Sequence, residues 1–151
     1  MNYIKSIVLS AAMLPFVCGT AFADDADNAI GTWLRPKQGW HVEFAMCVDN
    51  PDKLCGTVIS GEGVDKKTQG SVVGVKMLFD LEKNKKKTKW KGKMYDPKGG
   101  GTYDGSVKVL DDGRVKMSGC MAKIMCRSEK WKRVEPEPVI EDAEAMPAVE
   151  D

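Results

Sequence analysis

The chain has 151 residues, 42% hydrophobic and 30% charged, with a formal net charge of +1 and a single histidine. One histidine excludes a histidine-rich metal centre and leaves any Ser-His-Asp triad only one candidate base, His41. Beyond the N-terminus no segment approaches the ~18 consecutive apolar residues of a membrane-spanning helix.

The first 23 residues have the three parts of a secretory leader in order. Lys5 supplies the positive charge, Ile7 to Val17 an apolar stretch too short to span a bilayer, and Ala21-Phe22-Ala23 the small-x-small cleavage pattern. Cleavage is expected before Asp24, with export to the periplasm. A lipid anchor on Cys18 is the competing leader type, but it needs small residues ahead of the cysteine, where Phe16 and Val17 stand. The expected organisation is a leader (1–23), a short lead (24–30), a β domain (31–134) and a tail (135–151).

From Gly31 the chain reads as strand after strand, with Gly, Asn, Pro and Asp at the breaks. Eight runs are expected: Gly31–Pro36, His41–Cys47, Leu54–Gly61, Val72–Asp80, Thr88–Asp96, Gly101–Leu110, Arg114–Met121 and Ile124–Val134. Val42, Phe44 and Met46 share one face. Trp90, Gly92 and Met94 alternate with Lys89, Lys91 and Lys93, an inside/outside split. Eight strands on short links fit an all-β, up-and-down antiparallel barrel, lipocalin-like, which abolishes sheet edges by closing on itself; a two-sheet sandwich is the alternative. The polar stretch from Glu62 to Ser71 is either a lid over the open end or a plain mobile loop.

Beyond the leader the chain keeps four cysteines, Cys47, Cys55, Cys120 and Cys126. An even number in an exported small domain points to disulfides rather than zinc, since no Cys-x-x-Cys is present. Of the three pairings, Cys47–Cys55 and Cys120–Cys126 are favoured, because each pair brackets a turn between two strands. After Arg133 the chain carries only acids, from Glu135 to Asp151, in a Pro-, Glu- and Ala-rich run without aromatics. Such a run buries too little apolar surface to offset its ordering entropy, so a disordered acidic tail is expected.

A succession of motifs resembles a known family. Gly31-Thr32-Trp33, Cys47, Leu54-Cys55-Gly56-Thr57-Val58, Gly74–Leu78, Trp90-Lys91-Gly92, Tyr95-Asp96-Pro97, Gly101-Thr102-Tyr103, Met117-Ser118-Gly119-Cys120 and Trp131-Lys132-Arg133-Val134 follow in order. The set is similar to the exported domain-of-unknown-function family 2147 over nearly all of Gly31 to Val134, and implies a periplasmic lipocalin-like barrel. Glu62–Gln69 lacks the Asn-Pro and arginine-rich signature of that family. The ends also resemble the wider calycin group, which implies that Gly31 and Trp33 on the first strand lie beneath Arg133 from the last. Guanidinium over indole is a favourable contact that would close one end of the barrel.

Catalytic readings are weak. Asp96-Pro97 is turn chemistry, Asp104 falls on the face opposite Tyr103, and the glycines at 99 to 101 precede no helix that would cradle a phosphate. No enzyme activity, cofactor or metal is expected. The lysines from Lys83 to Lys93 could hold an anionic envelope surface, or form a solvated hairpin that blocks edge pairing. No aromatic residues interleave there, so nucleic acid is not an expected partner. Arg127 and Glu129 share the face of Trp131, which places them inside the barrel if the last strand alternates regularly. The expected cavity lining is Trp90, Met94, Tyr103, Met117, Arg127 and Glu129. A monomer holding a small amphipathic or lipid-like molecule is the first expectation, and an envelope interaction protein acting through its lysine face and acidic tail the second.

Overall fold

In the computed structural model, residues 25–122 and 124–135 are described; the expected leader, and the expected tail beyond Glu135, lie outside the described residues. The alternating runs form eight strands: β1 (Gly31–Arg35), β2 (Trp40–Met46), β3 (Leu54–Ser60), β4 (Lys76–Lys83), β5 (Trp90–Asp96), β6 (Gly101–Val109), β7 (Val115–Met121) and β8 (Met125–Arg133). Each is antiparallel to the next, and β8 returns to pair with β1, so the sheet is a closed barrel and the sandwich is ruled out. Closure leaves no edge strand to template aggregation.

The inward positions of alternate strands meet in the centre. Trp33, Val42, Phe44, Leu54, Val58, Leu78, Trp90, Val107, Val115 and Trp131 are buried there. Phe44 lies between the rings of Trp33 and Trp131, with centroids 6.1 and 5.9 Å away. Tilted aromatic packing of this kind adds to the area it buries.

β4 departs from the expected run. It begins at Lys76 rather than Val72, because a turn closed by Val75 N–H to Val72 O, with Gly74 at φ +87°, separates the two. It also runs on to Lys83, past Asp80, which at φ +46° marks a bulge where the β4–β5 register slips. A β-carbon on Gly92 would lie 3.0 Å from Leu81 Cα, so only glycine lets the bulged strand pack this closely.

The up-and-down topology sorts the loops into two groups. One end carries the β2–β3, β4–β5 and β6–β7 turns together with the N-terminal segment; the other carries the β1–β2, β5–β6 and β7–β8 turns and the long 61–75 segment. The first end is closed. A 3-10 turn over Asp27–Ala29 plugs it, with Ala26 and Ala29 buried. Ala26 O accepts from Trp90 Nε1 at 2.7 Å and Ala29 O from Trp33 Nε1 at 2.8 Å. The short lead is thus a structural plug that satisfies two buried indoles.

Arg133 seals this plug from outside. Its guanidinium carbon lies 4.3 Å from the Trp33 ring centroid, Nη1 donates to Ile30 O at 3.0 Å, and Nη2 donates to Asn28 O. At φ +133° Gly31 adopts a backbone conformation that strains other residues, and a β-carbon there would also displace the Arg133 guanidinium.

Candidate functional site

The opposite end is open and holds a cavity of about 360 Å³. Methionines supply much of its wall: Met77, Met94, Met117, Met121 and Met125, with Tyr103 and Trp131 beside them. Regular alternation in β7 and β8 places them there. Met117 pairs with Glu129, Gly119 with Arg127 and Met121 with Met125, so these residues share one face, which is buried at Met117 and opens to solvent at the mouth, where Met121 and Met125 are exposed. Flexible thioethers make a lining that can re-pack around differently shaped apolar groups.

Charged groups stand against this apolar wall. Arg35, at the end of β1, is only 9% exposed. Its Nη1 donates to Asp96 Oδ1 at 3.1 Å and its Nε to Glu129 Oε2 at 3.3 Å. The guanidinium also faces two indoles, 5.3 Å from the Trp40 centroid and 5.9 Å from that of Trp131. A buried cation survives only with such compensation. Glu129 in turn pairs with Lys37 at 3.0 Å and accepts from Trp131 Nε1 at 3.4 Å. Burial works against its charge, but Lys37, Arg35 and Trp131 together outweigh burial and hold its carboxyl below the ordinary value. Two cations and two anions therefore neutralise one another at the open-end side of the cavity. Arg127 lines the exposed mouth.

Five of the six expected lining residues, Met94, Tyr103, Met117, Arg127 and Glu129, surround this cavity. Trp90 does not. It is fully buried at the closed end, where it bonds to the N-terminal plug. Its alternation with Met94 was legible, but the same face of β5 runs from plug to cavity, and residue spacing does not say which end is hollow. Arg35, Lys37 and Asp96 went unrecognised as site residues. Asp96 does cap the β5–β6 turn, accepting from Gly99 N at 3.2 Å, yet its other oxygen holds Arg35. The sequence signal for Arg35 was its position two residues after Trp33, on the same inward face.

The 61–75 segment crosses part of the open end and is docked. Trp40 Nε1 donates to Glu62 O at 2.9 Å, Lys66 N–H to Pro97 O at 2.8 Å, and Val72 is fully buried. Asp65, 1% exposed, accepts from Tyr95 Oη, from Thr68 N at 2.9 Å and from Thr68 Oγ1 at 2.7 Å. The Tyr95 hydroxyl above all, with Thr68, holds the Asp65 carboxyl below its ordinary value and overcomes burial. Tyr95 falls on the outward face of β5 with Lys91 and Lys93 and would be solvent-facing, but this segment covers it. The segment leaves the β7–β8 side of the mouth uncovered.

The other expected residues lie apart from the cavity. Cys47 and Cys55 are bonded at the closed end, and Cys120 and Cys126 at the β7–β8 tip. Cys47 and Cys55 sit near Asp80, but their sulfurs are spent on each other and offer no thiolate to a metal. His41 faces outward on β2, opposite Leu34 and Ser60. The lysine run is partly engaged: Lys83 pairs with Asp27 at 2.7 Å and lies 5.2 Å over the Trp90 ring, and Lys93 pairs with Asp104 at 2.5 Å. Lys85 and Lys86 are exposed at the β4–β5 turn.

Comparison with known proteins agrees with this architecture. A family described as "uncharacterized protein conserved in bacteria (DUF2147)" matches residues 31–133. Among solved structures, the chain is similar to protein HP1028 from the human pathogen Helicobacter pylori, which belongs to the lipocalin family. The identity is 25% and the TM-score 0.58, over 72% of this chain and 84% of that one. No curated protein matches the chain in sequence.

Proposed function

The chain belongs to the DUF2147 family of uncharacterized bacterial proteins, and from that premise we propose that it is an exported, non-enzymatic barrel that holds a small amphipathic molecule. The observation that carries the reading is the open-end cavity: a methionine wall beside a neutralised ionic cluster, entered past Arg127. At about 360 Å³ it lies near the lower end of the range for ligand sites. That is room for one acyl chain or one ring system, not for a two-tailed lipid. Apolar lining with a few fixed polar groups is the arrangement that binds by burial and orients by charge. A cavity of this size favours ligand binding over a role confined to the lysine face.

Export is supported by the Lys5, Ile7–Val17 and Ala21-Phe22-Ala23 pattern and by two cysteine pairs that call for an oxidising compartment. N-terminal sequencing should find Asp24 first. A diacylglyceryl-modified Cys18 would show that the leader is of the other type.

Native mass spectrometry of protein purified from periplasm tests the ligand. A 1:1 adduct that is released on denaturation in organic solvent is expected. An unliganded mass, combined with no 1:1 uptake of 1-anilinonaphthalene-8-sulfonate in vitro, would sink the reading.

A further inference from the structure

We propose that the open end docks on an anionic lipid bilayer, with the β7–β8 tip as its apolar foot. The described residues of the tip between Cys120 and Cys126 are Met121, Ala122, Ile124 and Met125. Ile124 is 86% exposed, Met125 68% and Met121 56%. On the other side of the mouth, the docked 61–75 segment presents Val64 at 59% and Val73 at 46%. Large apolar side chains left in water on both sides of one opening mark a surface that meets something apolar.

Charge identifies the partner. Lys66, Lys67 and Lys98 are exposed around the same rim, where Lys37 is held by Glu129. Among the described residues of these loops the exposed acid is Glu62; Asp65 is buried against Tyr95, and Asp96 and Glu129 are engaged by Arg35. An apolar foot in a ring of lysines matches the two signals that hold a peripheral protein on an anionic membrane. Aliphatic and thioether side chains spread over two loops also suit a deformable lipid surface better than a protein partner, whose binding centres on aromatic and arginine anchors.

Only the end of the barrel can enter the interface. The outer wall carries Lys91, Lys93, Lys108, Lys116, Lys130 and Lys132, all exposed, and cannot face lipid tails. The closed end lacks the combination: Val48 is exposed there, but beside Asp49 and Asp52. The disulfide fixes the tip in advance. Cys120 and Cys126 are cross-strand partners, so the two ends of the tip are already tied together and less ordering is needed on docking. Docking would set the cavity mouth against the bilayer. The inference does not depend on what the cavity holds.

The test is partition of the processed protein, its leader shown by mass to be removed, onto vesicles. Vesicles of phosphatidylcholine alone are compared with vesicles containing phosphatidylglycerol. Wild-type protein should bind the anionic vesicles, bind neutral ones weakly, and lose affinity as salt rises. Ile124→Asp with Met125→Asp should lower partition by about tenfold or more, because apolar burial is replaced by charge repelled from the surface. Lys67→Ala with Lys98→Ala should also lower it, by about 25-fold, at roughly a fivefold loss per lysine. Lys85→Glu with Lys86→Glu, at the far end, should change it less than twofold. Urea midpoints of all variants show that they are folded. Failure of the wild type to bind anionic vesicles overturns the proposal. So does a tip variant that binds like wild type, or loss of binding in the Lys85/Lys86 variant instead, which would move the contact to the lysine hairpin.

Discussion

At the scale of single residues, the closed end depends on one cross-strand pair. Trp33 and Arg133 are register partners of β1 and β8, and the guanidinium covers the indole while tying down the N-terminal segment. Arg133→Ala removes a cation–π contact worth about 0.5–2 kcal/mol and the apolar stem that shields the ring. Trp33→Ala should cost about 3–5 kcal/mol as a large-to-small core change, and it also orphans Ala29 O. The two losses should be less than additive, because either mutation alone already abolishes the shared contact. A double-mutant cycle by urea unfolding measures the coupling; full additivity would mean that the pair contributes nothing as a pair.

At the scale of elements, the 61–75 segment is held by polar contacts more than by its one buried valine. Asp65 is its central acceptor, so Asp65→Asn places an amide donor against groups that donate, and Tyr95→Phe removes the hydroxyl. Both should raise tryptic cleavage after Lys66 and Lys67 several-fold while leaving the urea midpoint of the barrel nearly unchanged, as expected for local rather than global opening. The pH dependence follows from the sign of the shift. A carboxyl held below its unfolded value contributes above that value and loses its contribution as pH falls through the lower, folded one. Protection of Lys66 and Lys67 should therefore be flat from neutral pH to about 4 and fall below it. Hydrogen exchange read by mass spectrometry follows this without a protease, and the Asp65→Asn variant should lack the acid step.

At the scale of the whole molecule, closure and cross-linking act on different states. Pairing of β8 with β1 stabilises the native barrel, whereas the disulfides act mainly by restricting the unfolded chain. Each closes a short loop, with sequence separations of 8 and 6, and on the chain-entropy account contributes about 2–3 kcal/mol. Serine replacement of either pair should lower stability by about that much without abolishing the barrel. The two effects should add, because the pairs lie at opposite ends and share no neighbours. Urea unfolding of the two paired-serine variants and their combination decides it, and collapse of the fold on losing one pair would show that the ladder cannot stand without its staples. Non-reduced peptide mapping checks the connectivity directly; a Cys47–Cys120 peptide would contradict it.

The period-2 alternation of apolar and charged residues determined eight strands and their inward faces, since a strand side chain can point only to one side of the sheet or the other. That rule put Met117 among the cavity-lining residues, and Arg127 and Glu129 with Trp131 on condition that the last strand alternates regularly, whereas the burial of Trp33 followed from the calycin resemblance. Alternation carries no information along the strand axis, and there the tertiary structure decided. Trp90 and Met94 share one face of β5, yet one bonds to the plug and the other lines the cavity. The boundaries of β4 escaped the pattern because the bulge at Asp80 and the turn at Gly74 depend on backbone conformation. The ionic cluster was the least legible feature. Arg35, Lys37, Asp96 and Glu129 come from three strands and a turn, and nothing in their spacing pairs them with one another. Only closure of the sheet brings them within 3.3 Å of their partners, and the cost of burying Arg35 unpaired makes the set one unit.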